Sequence, residues 1–282
     1  MRKLKDLFDF GIELLEKEDI ENANLDAWYL LEAATGVSKA LYFMNKEKMV
    51  TKEEEETYIK MLERRREHIP LQYIIGRTEF MGLTFKVNEH VLIPRQDTEV
   101  LVEETLKIAK DGMEILDMCT GSGCIIVSLA HFCSLKNAVG VDISKEALKI
   151  ADENAILNKM KIKWIQSNLF ESVDGKYEII VSNPPYIKTE VIETLMPEVK
   201  NFEPRIALDG LEDGLYFYEL IVKEARNYLK SAGRLLFEIG WDQGQLVEEI
   251  FKKYGYNNIK IIKDLAGLDR VCQGSMPICL EE

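Results

Sequence analysis

The sequence contains few of the residues that usually bind metals. Its 282 residues include three histidines and five cysteines, and no two cysteines form a C-x-x-C pair. A metal site is therefore not expected, because structural zinc sites need clustered cysteine and histidine ligands. The number of cysteines is odd, and they lie in apolar stretches, at Cys119, Cys124, Cys133, Cys272 and Cys279. We therefore expect reduced thiols and a cytoplasmic protein, rather than a disulfide framework.

Long apolar runs and an excess of positive charge are also missing. No apolar run reaches the roughly 20 residues that span a bilayer, and residues 1–6 are charged, without the apolar region of a signal peptide. We therefore expect no membrane partner. The 36 Lys and Arg residues against 49 Asp and Glu residues give a net charge of −13. Such an acidic chain is not expected to bind nucleic acid directly.

The first 75 residues have the apolar periodicity of helices. Thr51 and Glu54 form the pattern of a capping box, which predicts the start of the third helix. The arginine run at 64–66 falls near the other end of that helix, where cations are favoured. We interpret this run as a helix-end feature rather than as an RNA-binding patch. The sequence therefore predicts a small all-helical domain over residues 1–75.

Residues 76–95 have a different pattern, with glycine punctuation and partial alternation of apolar residues. This pattern is typical of a short β-hairpin, and we predict that the hairpin links two domains. Its aromatic residues Phe80 and Phe85 are expected to pack between those domains. The remaining residues, 96–282, then form the second domain.

Strand and helix patterns alternate from residue 115 onwards. Strands are predicted over residues 115–118, 138–141, 161–166, 177–181 and 234–239, and a terminal hairpin over 259–262 and near Val271. Helices are predicted over residues 124–132, 144–157, 215–229 and 246–254, after one that begins near Pro94 and ends near Asp111. Such alternation is typical of an α/β fold with a mostly parallel sheet and helices on both faces. The ligand crevice of such a fold lies at the carboxyl ends of its strands.

The loop after the first of these strands is rich in glycine. It contains Thr120, Gly121, Ser122 and Gly123, and glycines allow a backbone to approach a ligand closely. Asp142 ends the second strand, where a carboxylate can accept both ribose hydroxyls of a nucleoside. The spacing does not match the G-x-G-x-x-G pattern of dinucleotide sites. A helix N-cap is the alternative role of Asp142.

Polar residues also follow the third and fourth strands. Asn168 ends the third strand, where an amide can pair with an adenine edge; a strand-ending turn is the alternative. Asn183, Pro184, Pro185 and Tyr186 follow the fourth strand. The prolines stiffen this loop, so the Asn183 side-chain oxygen and the Pro184 carbonyl become two fixed acceptors for a substrate –NH₂ group. Tyr186 adds a flat face for a planar amide or base, although a two-proline surface turn remains the alternative.

The complete set of motifs resembles that of class I S-adenosylmethionine-dependent methyltransferases with an N-P-P-Y motif. Four further segments are similar to signature stretches of the HemK/PrmC family, namely residues 70–76, 93–99, 203–210 and 264–270. Members of this family methylate the side-chain amide nitrogen (N5) of the glutamine in the Gly-Gly-Gln motif of peptide-chain release factors. The resemblance covers essentially the whole chain. It implies a class I (Rossmann-like) methyltransferase domain, S-adenosyl-L-methionine as cofactor and S-adenosyl-L-homocysteine as product.

The resemblance also implies roles for individual residues. Cofactor binding is expected from Thr120, Gly121, Ser122, Gly123, Asp142, Asn168 and Asn183. Substrate binding is expected from Arg95, Asn183, Pro184, Pro185 and Tyr186, of which Asn183, Pro184 and Tyr186 are the expected catalytic residues. Thr98 and Glu99 are expected at the pocket mouth, with a helix cap and a first-turn acid as alternatives, and Glu203 and Pro204 in the substrate loop. Two positions depart from the family pattern, since Cys119 replaces a glycine and Asn168 an acidic residue of many relatives.

Two other functions compete with glutamine methylation. An adenine-N6 methyltransferase acting on DNA or RNA shares the N-P-P-Y motif, but it needs a surface that follows phosphates, and this chain has no Lys/Arg-rich recognition domain. A non-enzymatic binding module would not need the intact Asn183 motif or Asp142. We therefore expect a monomeric enzyme whose protein partners are release factors.

Overall fold

The computed structural model describes residues 2–278, so Cys279 lies outside the described residues. The chain divides into two compact units. The first comprises Met1–Gly76 and Met196–Phe202, and the second comprises Arg77–Leu195 and Glu203–Glu282. Within the part of the chain that is described, no helix is long and apolar enough to cross a membrane.

The helices and strands are numbered in chain order. The helices are α1 (Leu4–Glu16), α2 (Ala23–Thr35), α3 (Lys39–Asn45), α4 (Lys52–Arg66), α5 (Leu71–Ile75), α6 (Gln96–Leu106), α7 (Cys124–Phe132), α8 (Lys145–Leu157), α9 (Thr189–Ile192), α10 (Pro197–Phe202), α11 (Tyr216–Ala225) and α12 (Gly244–Lys253). The strands are β1 (Arg77–Phe80), β2 (Leu83–Lys86), β3 (Glu114–Met118), β4 (Asn137–Asp142), β5 (Lys163–Gln166), β6 (Tyr177–Ser182), β7 (Leu229–Glu238), β8 (Asn257–Lys263) and β9 (Asp269–Ser275). A single 3₁₀ turn covers Arg205–Ala207 in this described part.

The first unit is built from helices, namely α1–α5 and the short α10. Its core contains the fully buried side chains of Leu7, Leu30 and Tyr58. The predicted capping box starts α4. The Thr51 hydroxyl accepts the Glu54 N–H at 3.2 Å, and the Glu54 carboxylate accepts the Thr51 N–H at 2.6 Å. These two bonds satisfy N–H groups that the helix leaves without partners at its start.

Arg65 lies in the last turn of α4, as the sequence predicts, but it is buried. Its guanidinium donates to the carboxylates of Asp26 at 2.6 Å and Glu198 at 2.5 Å, and to the Ile69 carbonyl at 3.2 Å. Burial raises the pKa of Asp26, and the Arg65 charge opposes that rise. The helix-end interpretation therefore misses the main role of Arg65, which is to neutralise two carboxylates and to attach α10 to the helices of this unit.

The second unit contains a seven-stranded sheet with the order β5-β4-β3-β6-β7-β9-β8. The strands from β5 to β7 are parallel, and β9 is antiparallel to both β7 and β8. The α/β fold with a mostly parallel sheet and a terminal hairpin is therefore confirmed. Three boundaries differ from the sequence prediction by four or more residues, since α6 and α11 end earlier and β7 begins at Leu229. Leu229 is buried opposite Tyr177 of β6, so its apolar character belongs to the sheet and not to α11.

The hairpin β1–β2 belongs to the second unit. Phe80 and Phe85 are buried in a core cluster with Leu101 and Val102 of α6. The expectation that the two phenylalanines pack between domains is therefore wrong. The hairpin turn is held by Glu99 of α6, whose carboxylate accepts the Met81 N–H at 2.6 Å.

The parallel strands bring polar residues together at one edge of the sheet. Strands β3, β4, β5, β6 and β7 end at Met118, Asp142, Gln166, Ser182 and Glu238. Because these strands are parallel, the segments that follow them lie at the same edge. The shared direction of the strands therefore brings these polar residues together, next to the buried core of the second unit.

Candidate active site

A cavity of about 310 Å³ opens at this edge of the sheet. This volume is within the range of small-molecule sites, which starts at about 300 Å³. Eight of the expected site residues line the cavity, namely Arg95, Thr120, Gly121, Ser122, Asp142, Asn168, Asn183 and Pro185. Three others do not line it, namely Gly123, Pro184 and Tyr186.

The glycine-rich loop makes a tight turn between β3 and α7. Gly121 has φ +53°, which favours glycine, and its N–H donates to the Asp142 carboxylate at 2.8 Å. Gly123 has φ +78°, and a Cβ there would lie 3.0 Å from the Trp164 ring. Gly123 is therefore required by packing at the start of α7. Cys119, which replaces a family glycine, also has a positive φ of 61°.

Asp117 lies beneath this loop and is completely buried. One carboxylate oxygen accepts the Thr120 hydroxyl at 2.5 Å, and the other has no hydrogen-bond partner among the described residues. Burial raises the pKa of Asp117 to about 7, and the nearby negative charge of Asp142 adds to the rise. Asp117 therefore supports the loop from below and does not line the cavity.

Asp142 connects the ends of two segments at the cavity wall. Its two carboxylate oxygens accept the N–H groups of Ser144 at 2.9 Å and Gly121 at 2.8 Å. Ser144 is the N-cap of α8, since its hydroxyl accepts the Ala147 N–H at 3.1 Å. The alternative role of Asp142 as the helix N-cap is therefore wrong. Burial raises the pKa of Asp142, and the N–H groups that it accepts oppose that rise.

Asn168 is exposed at the end of the segment after β5. Its side-chain NH₂ donates to the Glu171 carboxylate at 2.8 Å. One N–H and the carbonyl oxygen of this amide are left for other partners. Leu169 follows with φ +46°, an uncommon conformation for a residue with a side chain, and it also lines the cavity.

Asn183 follows β6, and its side-chain NH₂ donates to the Thr98 hydroxyl oxygen at 3.3 Å. Thr98 is 2% exposed, and its own hydroxyl donates to the Glu238 carboxylate at 2.5 Å. The residue that precedes α6 is Arg95, which makes no side-chain cap, so the alternative role of Thr98 as a helix cap is wrong. Since the NH₂ end of the Asn183 amide is engaged, its oxygen is the end left for a ligand.

Tyr186 is held from two sides. Its hydroxyl donates to the Glu238 carboxylate at 3.1 Å, and its backbone carbonyl accepts the Gln243 side-chain NH₂ at 3.1 Å. Burial raises the pKa of the Tyr186 hydroxyl well above its usual value, and the Glu238 charge contributes. A Cβ on Gly210 would approach the Tyr186 Cα to 2.7 Å. The end of the N-P-P-Y loop is therefore fixed by its surroundings, and Pro184 within it is buried.

Arg95 and Glu203 form an ion pair at the cavity. One guanidinium nitrogen of Arg95 donates to both Glu203 oxygens, at 2.6 and 2.7 Å. Glu203 is 6% exposed; burial raises its pKa, and the Arg95 charge opposes that rise. Pro204 lines the cavity beside this pair, whereas Glu99 does not line it and serves the hairpin turn.

Comparisons with known proteins identify the family. The family model described as the PrmC N-terminal domain matches residues 6–76, and the methyltransferase small domain matches residues 96–199. A release factor glutamine methyltransferase of Fusobacterium nucleatum subsp. nucleatum is 44% identical over 275 residues, which cover 94% of this chain and 77% of that protein. One from Geobacter sulfurreducens is 41% identical over 272 residues, or 96% of each chain. The chain belongs to the release factor glutamine methyltransferase family.

Solved structures agree with the fold of this family. A methyltransferase from Pyrococcus furiosus superposes with a TM-score of 0.54 at 17% identity, over 71% of this chain and 91% of that one. A putative methyltransferase complexed with SAH, SMU.776, gives a TM-score of 0.52 at 10% identity, over 71% and 56%. At these identities the likeness concerns the fold, and it confirms the class I methyltransferase domain.

The enzyme is an S-adenosyl-L-methionine-dependent methyltransferase, and S-adenosyl-L-homocysteine is its product. The cavity residues fit this cofactor. Asp142 has lone pairs left on both carboxylate oxygens after accepting two N–H groups, so it can accept two ribose hydroxyls. Gly121 has open space where a Cβ would stand, which allows close approach to its backbone.

The metal-ligating side chains of the described residues are dispersed. Residues 2–278 contain no group of His, Cys, Asp and Glu side chains that could hold a metal ion. The four cysteines among them are free, namely Cys119, Cys124, Cys133 and Cys272. Burial raises the pKa of the Cys124 thiol to about 12, so it stays protonated at neutral pH.

Sequence reasoning misses several residues of the site. Ile143, Leu169 and Phe217 line the cavity with apolar side chains, although the first two directly follow residues that the sequence does single out. Sequence reasoning also misses Glu238. The sequence does mark this residue, because it is a single carboxylate within the apolar run 235–239. A charge at such a position is unusual, because buried carboxylates are costly without partners.

Proposed function

We propose that this protein transfers a methyl group from S-adenosyl-L-methionine to the side-chain amide nitrogen (N5) of the glutamine in the Gly-Gly-Gln motif of peptide-chain release factors. The observation that carries the proposal is the engaged amide of Asn183. Its NH₂ donates to Thr98, so its oxygen is the acceptor left for a substrate –NH₂ group at the cavity. Membership of the family supplies the class of substrate.

The residues around the glycine-rich loop are proposed to hold the cofactor. Thr120, Gly121, Ser122 and Gly123 would contribute the loop backbone, and Asp142, Asn168 and Asn183 would contribute side-chain contacts. The Asp142 carboxylate would accept ribose hydroxyls, and the Asn168 amide would pair with the adenine edge. When bound, S-adenosyl-L-methionine supplies an electrophilic methyl group on a sulfonium.

Asn183, Pro184 and Tyr186 are proposed to carry the catalytic role. An amide nitrogen is a poor nucleophile, because its lone pair is delocalised into the carbonyl. Accepting both N–H bonds, at the Asn183 oxygen and the Pro184 carbonyl, would orient that nitrogen. It would also stabilise the positive charge that develops on it. Tyr186 and Pro185 would pack on the planar amide. The methylated nitrogen would then lose its extra proton to water, so no general base is required.

Other parts of the chain are proposed to serve recognition. Arg95 would contact the substrate at the cavity, although it must then share its guanidinium with Glu203. We propose that residues 1–75 recognise the release factor, that residues 76–95 link this domain to the rest, and that residues 96–282 bind the cofactor. We further propose a monomer that acts in the cytoplasm, where translation terminates, without direct contact to nucleic acid.

The test is methyl transfer from labelled S-adenosyl-L-methionine into release factors, duplex DNA and transfer RNA in parallel. Mass spectrometry then locates the modified residue. We expect label on the Gly-Gly-Gln glutamine and none on either nucleic acid. A release factor with glutamine replaced by asparagine in that motif is the matched control, since it keeps an amide but shortens the side chain. Label on adenine, with unmodified release factors, would instead support the adenine-N6 function.

A further inference from the structure

Glu238 is a buried carboxylate next to the site, with no role in the chemistry proposed above. It ends β7 after the apolar residues Leu235, Leu236 and Phe237, and it is 2% exposed. Burying a carboxylate is costly unless hydrogen bonds replace its lost hydration. The hydrogen bonds that Glu238 makes must therefore account for its position.

The two oxygens of Glu238 accept hydrogen bonds from two different segments. One oxygen accepts the hydroxyl of Thr98 at 2.5 Å, and the other accepts the hydroxyl of Tyr186 at 3.1 Å. Burial raises the pKa of Glu238, and the Thr98 and Tyr186 hydroxyls and the Arg270 charge oppose that rise by stabilising the ionised form. In this form the carboxylate has no hydrogen to donate. Both hydroxyl hydrogens are therefore directed towards Glu238, and neither can be offered elsewhere.

The direction of the Thr98 hydrogen determines how Asn183 is oriented. A threonine hydroxyl has one hydrogen, and Glu238 takes it, so the Thr98 oxygen can act only as an acceptor towards Asn183. The Asn183 amide must then present its NH₂ to Thr98, and the distance between these atoms is 3.3 Å. Its carbonyl oxygen is consequently the end that remains for a ligand in the cavity.

A neutral group at position 238 would remove this constraint. A glutamine could donate to the Thr98 oxygen, and the Thr98 hydrogen could then turn to the Asn183 oxygen. Asn183 would rotate its amide and present NH₂ to the cavity. A substrate –NH₂ group would then meet a donor in place of an acceptor, and its nitrogen would lose the contact that orients it.

We propose that Glu238 is a positioning residue for methyl transfer, which fixes the Asn183 amide through Thr98 so that the Asn183 oxygen faces the substrate nitrogen. The inference rests on the proposed function for the identity of the substrate. It does not rest on it for the orientation of Asn183, which follows from hydrogen bonds within this chain.

The experiment compares four single variants and one double variant with the wild-type enzyme on a release factor. Glu238→Gln and Thr98→Val break the chain of hydrogen bonds, and Thr98→Ser keeps its hydroxyl. Thr105→Val is the matched control, because Thr105 is also buried on α6 and its hydroxyl donates to the Leu101 carbonyl. The readouts are kcat, KM for the release factor and the Kd for S-adenosyl-L-methionine.

We expect Glu238→Gln and Thr98→Val to lower kcat by about 30-fold or more, with the cofactor Kd within about threefold of wild type. Thr98→Ser should recover most of the kcat that Thr98→Val loses, and Thr105→Val should match wild type. The double variant of Glu238→Gln and Thr98→Val should be no slower than the slower single variant, because both changes break one chain. Unaltered kcat in Glu238→Gln, or losses that multiply in the double variant, would overturn the proposal.

A second measurement does not depend on the substrate. The side-chain NH₂ resonance of Asn183, assigned with Asn183→Ala in asparagine-labelled protein, should shift in Glu238→Gln and Thr98→Val but not in Thr105→Val. If the Asn183 resonance shifts in neither Glu238→Gln nor Thr98→Val, the inference is overturned. If Glu238→Gln does not fold, the contrast between Thr98→Val and Thr98→Ser decides. If the wild-type enzyme leaves release factors unmodified, the proposed function is wrong. The Asn183 resonance would still test the orientation of the Asn183 amide.

Discussion

The carboxylate of Asp142 accepts the backbone N–H of Gly121 at 2.8 Å, although the two residues lie 21 positions apart in the sequence. This bond joins the end of β4 to the glycine-rich loop that follows β3. The other carboxylate oxygen of Asp142 accepts the Ser144 N–H, so this side chain fixes two backbone segments of the cavity wall. The group expected to bind the ribose is therefore preorganised by the protein itself, which reduces the cost of ordering it on binding.

Asp142→Ala should weaken the binding of S-adenosyl-L-methionine by about 100-fold. The substitution removes the two carboxylate oxygens that would accept the ribose hydroxyls, and it also removes the partner of the Gly121 N–H. Isothermal titration calorimetry measures this change directly. Glu146→Gln is the control, since Glu146 is an exposed acid in the first turn of α8. An affinity for the cofactor that is the same in both variants would contradict the ribose-binding role of Asp142.

Asn183→Ala should lower kcat by about 100-fold or more, because it removes an acceptor that orients the reacting nitrogen. The cofactor Kd should change much less. Asn168→Ala is the matched comparison at the neighbouring cofactor position, and it should raise the cofactor Kd with a smaller effect on kcat at saturation. Steady-state kinetics and calorimetry on both variants separate the two roles. Equal losses of kcat and cofactor affinity in Asn183→Ala would refute the assignment.

Asp117 should make the protein less stable as the pH rises from about 4 to about 7. Its pKa is about 7 in the folded protein against an ordinary value of 3.8, so the folded state binds the proton more tightly than the unfolded state. Folding is favoured by this group below about pH 4, and the advantage is lost as the pH passes the folded pKa. The loss is at most about 1.4 kcal/mol per pH unit.

Asp117→Asn tests this dependence because it keeps the shape of the side chain and cannot ionise. Urea unfolding at pH 5, 6, 7 and 8 gives the free energy of unfolding for both proteins. The stability of the wild type relative to Asp117→Asn should fall over this range and level off above pH 7. A difference that is independent of pH would show that Asp117 does not titrate there.

Arg65→Ala should destabilise the protein by about 3 kcal/mol, because it leaves the buried Asp26 carboxylate without its partner. Chemical unfolding measures the loss. Arg66→Ala is the control next to it in the sequence, since Arg66 makes ion pairs with the more exposed Glu18 and Glu63. The loss in Arg66→Ala should be much smaller. Similar losses in both variants would show that the buried ion pairs contribute no more than the surface ones.

The sequence by itself determines the order and type of most elements of this fold. Alternating apolar patterns predict the parallel sheet, and the capping box at Thr51 and Glu54 predicts the start of α4, because such signals depend on near neighbours in the chain. The sequence by itself also identifies the family, because short motifs distinguish its members. The boundary between α11 and β7 is harder to predict, since Leu229 is apolar in either element and only its partner strand decides.

Only the tertiary structure decides which distant side chains meet. Thr98, Asn183, Tyr186 and Glu238 come from three separate segments, and they form one hydrogen-bonded group because α6 and the ends of β6 and β7 meet at one place. The same holds for Phe80 and Phe85, which are buried in one cluster with residues of α6 and α7. Local sequence fixes the conformation of each segment. The direction of a hydroxyl hydrogen, and with it the orientation of Asn183, depends on a carboxylate that only packing brings near.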